Sequence, residues 1–363
     1  MVHTAVARPA AQSAQSARVG DIRAARRAGR SPAAAPITIA APRPLRYITE
    51  VGLRLPVVAA NGALALRCEK STQLGDVQVI TQDDAEQDAA AAAARASVVM
   101  GELDTVEGLR GAADLFSRIW ETPSVPPMPH DVLRSLVHAG GRVHAAFRDG
   151  HLVGAAVAVF SAPADAACYS LIAGVSPTAE SRGIGLALKL AQRAWALRAG
   201  ATRMVWTFDP LLRRNARFNM ARLGAVGTEY LVDFYGEVTD GVNDLETDRL
   251  AVTWNLLEPL PAFAVRSGLP GSPGPDGAGE LPAILALGPG DEPVAGTVPG
   301  MSARLRCWIP ADILTIRRTD QGLARRWRVA VRTALGGAIA EGYQVTGVSD
   351  PGWYLLEKAQ AKR

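Results

Sequence analysis

Hydrophobic positions follow two different periods between residues 97 and 238, and these periods predict ten elements. Apolar runs such as "SVVMGEL" and "CYSLIA" predict strands. The stretch "TVEGLRGAADLFSRIWE" instead predicts a helix, because its apolar residues recur every three or four positions. The shared helical face consists of Val106, Leu109, Ala113, Phe116 and Ile119. The resulting order is β-α-α-β-β-β-α-β-α-β, and the turn at Asp149-Gly150 predicts a hairpin within it. Consecutive strands before a β-α-β unit predict an α+β fold, with a mixed, mostly antiparallel sheet flanked by helices.

The whole chain divides by composition into five segments. Residues 1–46 are rich in Ala, Arg and Pro, contain no aromatic residue, and are predicted to be disordered. Residues 47–96 form a poorly defined N-terminal extension that ends in an alanine-rich helix or linker. Residues 97–257 form the main domain. Residues 258–300, rich in Pro and Gly, are predicted to be a linker. Residues 301–363 predict a β-α-β-β element, which is too small to be stable alone and should pack on the main domain.

Charge and cysteine content exclude several classes of protein. The net charge is +4, but residues 1–46 carry +7, so the rest of the chain carries −3. The folded part has no basic stripe interleaved with aromatic residues, and we expect no nucleic acid as a partner. No apolar stretch reaches the roughly 18 residues needed to span a bilayer. The three cysteines lack metal-ligand spacing, so we expect no metal and a reducing, cytoplasmic location.

A glycine turn between the third antiparallel strand and a helix suggests a phosphate site. The stretch "GVSPTAESRGIGLALKL" lacks the G-x-x-x-x-G-K-[ST] pattern of a P-loop. A dinucleotide-binding fingerprint would need a third glycine where Leu188 stands, and a βαβ opening that is absent. Gly183 and Gly185 have no Cβ, so a pyrophosphate could approach the backbone N–H groups at the helix N-terminus. We expect this helix to be amphipathic, with Lys189 and Arg193 off its apolar face.

The motif "ESRGIGLALKL" and the order of elements resemble the GNAT superfamily of acyl-CoA N-acyltransferases. The resemblance covers roughly residues 97–358, including "WTFDPLLRRNARFNMARLGA", and extends to predicted GNAT proteins with a C-terminal extension. It implies a GNAT-like fold and acetyl-CoA or coenzyme A as the cosubstrate. Glu180 stands where the family has Gln or Arg. The residues that the resemblance implies for coenzyme A binding are Ile172, Ala173, Gly174, Val175, Ser181, Arg182, Gly183, Ile184, Gly185, Leu186, Ala187 and Asn215.

Proton transfer in such a reaction needs a base for the acceptor amine and an acid for the leaving thiolate. The strand "CYSLIAGV" offers no carboxylate, and Phe218 and Asn219 occupy the region where many family members have a tyrosine acid. The catalytic candidates are therefore Asp209, Tyr230 and Glu121. Each also has an ordinary alternative, namely a turn former, a strand residue and a solvated helix end.

The sequence therefore predicts an acyl-CoA-dependent N-acyltransferase that acts on an unidentified small or amino-acid-like amine. The alternative is an inactive GNAT-like module that binds acyl-CoA or another protein. A homodimer is left open. The arginines in "RRTDQGLARRWRVAVR" favour a solvated basic face over a site for an acidic acceptor.

Overall fold

The computed structural model describes residues 79–123, 125–179, 183–236, 247–261, 281–297 and 302–359. The predicted disordered tail, residues 47–78 of the N-terminal extension and the three residues 180–182 lie outside the described residues. Within the described ranges, no helix combines the length and the apolar character that crossing a membrane requires.

The first half of the described chain follows the predicted order of elements. Its helices are α1 (Gln82–Arg95), α2 (Val106–Trp120), α3 (His130–His138), α4 (Ile184–Arg198) and α5 (Arg213–Ala216), the last continuing as a π-helical turn (Arg217–Arg222). Its strands are β1 (Val99–Glu102), β2 (Arg142–Arg148), β3 (His151–Phe160), β4 (Ala167–Val175), β5 (Arg203–Phe208) and β6 (Val226–Leu231).

The second half adds six strands and one long helical segment. The strands are β7 (Arg249–Asn255), β8 (Ala283–Leu287), β9 (Pro293–Ala295), β10 (Arg304–Trp308), β11 (Tyr343–Ser349) and β12 (Trp353–Lys358). The helices are α6 (Ile313–Thr319) and α7 (Gln321–Val331), which continues through a π-helical turn (Arg332–Gly336) into α8 (Gly337–Ala340).

All of these strands belong to one sheet with the order β1-β2-β3-β4-β5-β7-β6-β11-β12-β10-β8-β9. Neighbouring strands are antiparallel except for the pairs β4–β5 and β10–β8. The prediction of an α+β fold with a mixed, mostly antiparallel sheet is therefore confirmed. The order from β1 to β6 is also the β-α-α-β-β-β-α-β-α-β order that the resemblance to GNAT acyltransferases implies.

Three strands were not predicted. Strand β7 lies between β5 and β6 and pairs with both. Strands β8 and β9 lie within residues 258–300, which the Pro and Gly content assigned to a linker. The last strand of the predicted order, β6, ends at Leu231, where a turn follows.

Helices cover both faces of the first half of the sheet. Helices α2 and α3 pack on one face around Leu109, Phe116 and Leu133. Helix α4 packs on the other face, and α1 covers α4 from outside, as the shared cluster of Ala92, Ala93 and the α4 residues indicates. Helix α1 begins at a capping box, in which Thr81 and Asp84 bond each other's backbone N–H groups.

Because α4 lies between the sheet and α1, its polar residues are less exposed than the sequence predicts. Lys189 and Arg193, predicted to lie off the apolar face, are 5% and 0% exposed. Arg193 donates to the backbone oxygens of Leu256 and Glu258 at 2.9 and 2.6 Å. The prediction of an amphipathic α4 is therefore wrong at these positions. Lys189 faces strands β4 and β5, where it contacts Ser170 and Trp206. Arg193 lies beside α1, where it pairs with Asp88 at 3.5 Å.

A buried ion-pair cluster joins the C-terminal helices to the end of β5. Asp209 accepts hydrogen bonds from Arg317 of α6 at 2.6 Å and from Arg328 of α7 at 2.8 Å. Burial by itself would raise the pKa of Asp209. The guanidinium groups of Arg328 and Arg317 outweigh that effect, so the pKa lies below its usual value.

A second pairing lies along the same helical segment. Arg332 donates to both carboxylate oxygens of Asp248, at 2.9 and 2.7 Å. Asp248 also accepts a hydrogen bond from the hydroxyl of Tyr230 at 2.7 Å. The expectation of a solvated basic face is wrong for Arg317, Arg328 and Arg332, because their charges are paired with carboxylates of the main domain.

We predict that Asp209→Asn lowers the free energy of unfolding by about 3–5 kcal/mol, because it leaves the buried Arg328 without a counter-charge. Urea-induced unfolding at pH 7 measures this. Since the pKa of Asp209 is depressed, its contribution is complete above the unfolded value of about 3.9 and is lost as the pH falls through the folded value.

The matched control for this prediction is Glu292→Gln. Glu292 pairs with Arg326 at 2.6 Å, but its side chain is 42% exposed. We expect no measurable shift of the unfolding midpoint, since solvent screens an exposed pair. Equal effects of the two substitutions would contradict a special role for the buried cluster.

Candidate functional site

Strands β4 and β5 are parallel neighbours only over three residue pairs and then separate. The pairs are Ala167–Arg203, Cys168–Met204 and Tyr169–Val205. Beyond them β4 stays paired with β3, and β5 stays paired with β7. No described strand lies beside β4 from Ser170 to Val175 on the β5 side. We call this gap, from its closed end at Tyr169 and Val205 to its mouth at Val175 and Asp209, the fork.

A β-bulge determines which β4 side chains face each layer. The register with β3 shifts between Val157 and Ala158, and Leu171 is the extra residue on β4. Ser170, before the bulge, bonds side chains of α4. Leu171 and Ile172 both pack in the cluster under α2 and α3. The free backbone edge of β4 therefore starts at the bulge, where the alternation of its side chains between the two faces of the sheet is interrupted.

The start of α4 lies just beyond the mouth end of β4. Gly183 is its N-cap residue, with φ +83°, a left-handed conformation that favours glycine. The N–H groups of Leu186 and Ala187 donate to the carbonyl of Gly183, each at 3.1 Å, which leaves those of Ile184 and Gly185 as the first-turn donors. Gly183 itself has no side chain that could cap them. The predicted contacts at Ile184, Gly185, Leu186 and Ala187 belong to this turn, whereas Ser181 and Arg182 lie outside the described residues.

Helix α5 and its π-helical continuation flank the first turn of α4. A Cβ added to Gly185 would lie 3.8 Å from Cζ of Phe218, so the aromatic ring packs directly on this glycine. Asn215, which the resemblance assigns to coenzyme A binding, is exposed on α5. Asn219 is buried and accepts a hydrogen bond from the indole Nε1 of Trp206 at 3.3 Å.

The end of α2 lies on the opposite face of β4. A Cβ added to Gly174 would lie 2.7 Å from Cδ1 of Ile119 and 3.0 Å from Cζ3 of Trp120. Glycine at this position lets α2 approach the free edge of β4. Glu121 follows directly as the C-cap residue, with φ 55°, and its side chain is exposed. Glu121 is thus the next residue along the chain after Trp120, whose ring lies against Gly174.

The other two catalytic candidates belong to the two groups of charged residues described above, Asp209 with Arg317 and Arg328, and Tyr230 with Asp248 and Arg332. Asp209 follows β5 at the mouth of the fork and also accepts from the backbone N–H of Leu211 at 3.0 Å. Tyr230 packs against Gly336 and bonds Asp248. Burial and the neighbouring Asp248 carboxylate raise the pKa of Tyr230. Paired in this way, Asp209 is held ionised and Tyr230 is held protonated.

A polar group inside the fork was missed by the sequence reasoning. The ammonium of Lys189 donates to the Ser170 hydroxyl at 2.8 Å and lies 4.0 Å from the centroid of the Trp206 ring. Ser170 in turn donates to Oε1 of Gln192 at 3.0 Å. The spacing of Lys189 and Gln192 on one helix was visible in the sequence, but nothing there indicated that this side of α4 is covered.

The site offers no metal centre among the residues that the structure describes, since no three His, Cys, Asp or Glu side chains are grouped to bind an ion. No protein-family model matches the chain. No curated protein matches it either.

Solved structures with a similar fold are acetyltransferases of low sequence identity. One, from Desulfovibrio desulfuricans, is described as an acetyltransferase of the GNAT family; it is 15% identical, with 44% of this chain and 99% of that chain covered and a TM-score of 0.35. A ribosomal-protein-alanine N-acetyltransferase from Brucella melitensis is 17% identical, with coverages of 43% and 99% and a TM-score of 0.37.

A phosphinothricin acetyltransferase of the GNAT superfamily from Sinorhizobium meliloti, solved with AcCoA, is 17% identical. The match covers 45% of this chain and 89% of that one, with a TM-score of 0.37. All three matches cover less than half of this chain and have TM-scores below 0.5. The similarity therefore carries no argument about substrate or residue roles.

We predict that Gly174→Ala lowers the free energy of unfolding by about 1–3 kcal/mol, because the added methyl group overpacks the contact with Ile119 and Trp120. Adding Ile119→Val, which removes the closest methyl group, should restore part of this loss. Thermal or urea unfolding of the single and double variants measures both effects.

Gly337→Ala is the matched control for this prediction. Gly337 has helical angles, φ −60° and ψ −48°, and an added Cβ would meet nothing within 4 Å. We expect this substitution to be neutral or to stabilise by up to about 1 kcal/mol. A stable Gly174→Ala variant would mean that α2 does not press on β4 as described.

Proposed function

We propose that the protein is an acyl-CoA-dependent N-acyltransferase that transfers an acetyl group directly to an amine. The observation that carries this proposal is the fork, with a free β4 edge that ends beside a helix N-terminus whose N-cap residue, Gly183, has no side chain. These two features supply backbone hydrogen-bond donors and acceptors for an extended amide-containing arm and a positive field for a pyrophosphate. The motif resemblance supports coenzyme A as the molecule that has both parts.

In this proposal the donor lies along β4 with its pyrophosphate at the mouth of the fork. Ile172, Ala173, Gly174 and Val175 would bond the pantetheine arm through backbone groups. The first turn of α4, from Gly183 to Ala187, would bind the pyrophosphate, with Ser181 and Arg182 proposed beside it. Asn215 on α5 would contact the same arm from the β5 side.

The acceptor side of the proposed site lies under the end of α2. Among the three catalytic candidates we favour Glu121 as the carboxylate that would meet an incoming ammonium, because its side chain is exposed and no described residue pairs with it. The proposed reaction is attack of the neutral amine on the thioester carbonyl from a ternary complex. Backbone N–H groups of β4 would stabilise the oxyanion.

A second candidate function is a module that binds acyl-CoA without transferring the acyl group. The pairing of Asp209 with two arginines and of Tyr230 with Asp248 favours it, since neither residue is free for proton transfer. Release of CoA thiol with a broad panel of amines distinguishes the two functions. A cytoplasmic location and a homodimer remain predictions from the sequence.

We predict that Gly183→Asp weakens acetyl-CoA binding about 10- to 100-fold, because it adds a carboxylate at the proposed pyrophosphate position. Isothermal titration calorimetry with acetyl-CoA measures the dissociation constants of the wild-type protein and the variant.

The control for this experiment is Gly140→Asp. Gly140 also has a left-handed φ, +92°, at the end of α3, and an added Cβ would meet nothing within 4 Å. It reproduces the backbone strain and the charge change away from the fork, and we expect binding to be unchanged. Absence of acetyl-CoA binding by the wild-type protein would reject the proposed function.

A further inference from the structure

Lys189 occupies the closed end of the fork. Its ammonium contacts Ser170 and Trp206, and these are the first residues after the last paired positions of β4 and β5. The side chain reaches this point from the second turn of α4, the helix whose first turn is the proposed pyrophosphate site. One helix therefore presents backbone N–H groups at the mouth and an amine at the closed end.

The charge of Lys189 is not compensated within the described residues. An ammonium has three donors. Its described contacts are one hydrogen bond to Ser170 and the face of the Trp206 ring. The arginines of the C-terminal helices differ from Lys189 in this respect, because each of Arg317, Arg328 and Arg332 is paired with a carboxylate. An isolated buried ammonium is costly unless a negative charge reaches it.

A donor bound as proposed would bring its sulfur to this point. If the pyrophosphate of coenzyme A lies at the mouth of the fork, the pantetheine arm runs along β4 and its sulfur end is directed towards Ser170. We propose that Lys189 is the proton donor for the departing sulfur of coenzyme A, an inference that rests on the acyl-CoA site proposed above.

The proposed step balances as follows in atoms and electrons. The acceptor nitrogen bonds to the thioester carbonyl carbon, and the carbon–sulfur bond breaks with its electron pair on the sulfur. The Lys189 ammonium gives one proton to that sulfur and becomes a neutral amine. The acceptor nitrogen loses one proton in forming the amide, and this proton restores the ammonium through solvent. The products are the amide and the free thiol.

The titration range of Lys189 suits this role. Burial lowers the pKa of Lys189 to about 7. A thiol has a pKa of about 8.5, so proton transfer from this ammonium to a thiolate is favourable. Among the described groups around the amine, Cys168 of β4 is the titratable one, and burial raises its pKa to about 12. Ser170, Gln192 of α4 and Trp206 of β5 are uncharged.

The test is the pH profile of acetyl transfer from acetyl-CoA to hydroxylamine, a nucleophile that is uncharged at neutral pH. In the wild-type protein the single-turnover rate should fall as the pH rises through about 7, because the acid must be protonated to act. Lys189→Met keeps the length and the apolar contact with Trp206. It should lower the rate about 100-fold or more at pH 6.5 and remove this dependence, while the dissociation constant for acetyl-CoA changes by less than about threefold.

Two further variants separate a chemical role from a packing role. Lys358→Met removes a lysine that lies 5.1 Å from the Tyr343 ring, outside the fork, and should change neither rate nor profile. Ser170→Ala removes the hydrogen-bond acceptor of Lys189. It should lower the rate about 10-fold and leave the dependence on pH in place, because the ammonium is still present but less well positioned.

An unchanged pH profile in Lys189→Met, or acetylation of Lys189 itself on intact-mass analysis, would overturn the inference and leave the proposed function standing. Wild-type protein that binds acetyl-CoA but transfers nothing to hydroxylamine would overturn the inference and favour the binding module. Wild-type protein that does not bind acetyl-CoA would overturn both proposals.

Discussion

The separation of β4 from β5 after three paired residues is the constraint on which the rest of the site depends. A sheet interior normally satisfies every backbone N–H and C=O group, and a gap in it leaves such groups unpaired. Here the bulge at Leu171 turns β4 just as the pairing ends, and Gly174 lets α2 lie against the freed strand. The gap is therefore bordered by ordered backbone and is not a frayed edge.

The C-terminal helices have a physical effect on the same end of the sheet. Their arginines meet Asp209 and Asp248, two carboxylates that would otherwise be buried without partners. Such pairs add little net stability compared with apolar packing, but breaking one is costly. They hold α6 and α7 in register with β5 and β6, and at the same time remove Asp209 and Tyr230 from simple acid–base roles.

Much of the fold could be predicted from the sequence, because the order from β1 to β6 follows local hydrophobic periods. Strands β8 and β9 could not, since they lie in a Pro- and Gly-rich region whose composition is typical of linkers. The glycine turn at Gly183 was identifiable from residue type alone. Lys189 was not, because it faces the sheet at Ser170 and Trp206, where the hydrophobic pattern leads one to expect an apolar residue. Long-range pairing partners, such as Arg328 for Asp209, also leave no local trace in the sequence.

The different surroundings of Lys189 and of the paired arginines indicate a function for the fork. Stability alone would favour an apolar side chain at a buried position between a helix and a sheet, since a methionine or leucine packs there without any desolvation cost. The arginines are explained by the carboxylates that they hold. Among the described residues Lys189 contacts a hydroxyl and a ring face and no carboxylate, so the fold gains little from its charge. Local choices that conflict with stability are expected at functional sites. Lys189 lies at the closed end of the only described break between β4 and β5. Its amine is therefore positioned to contact the molecule that occupies that break.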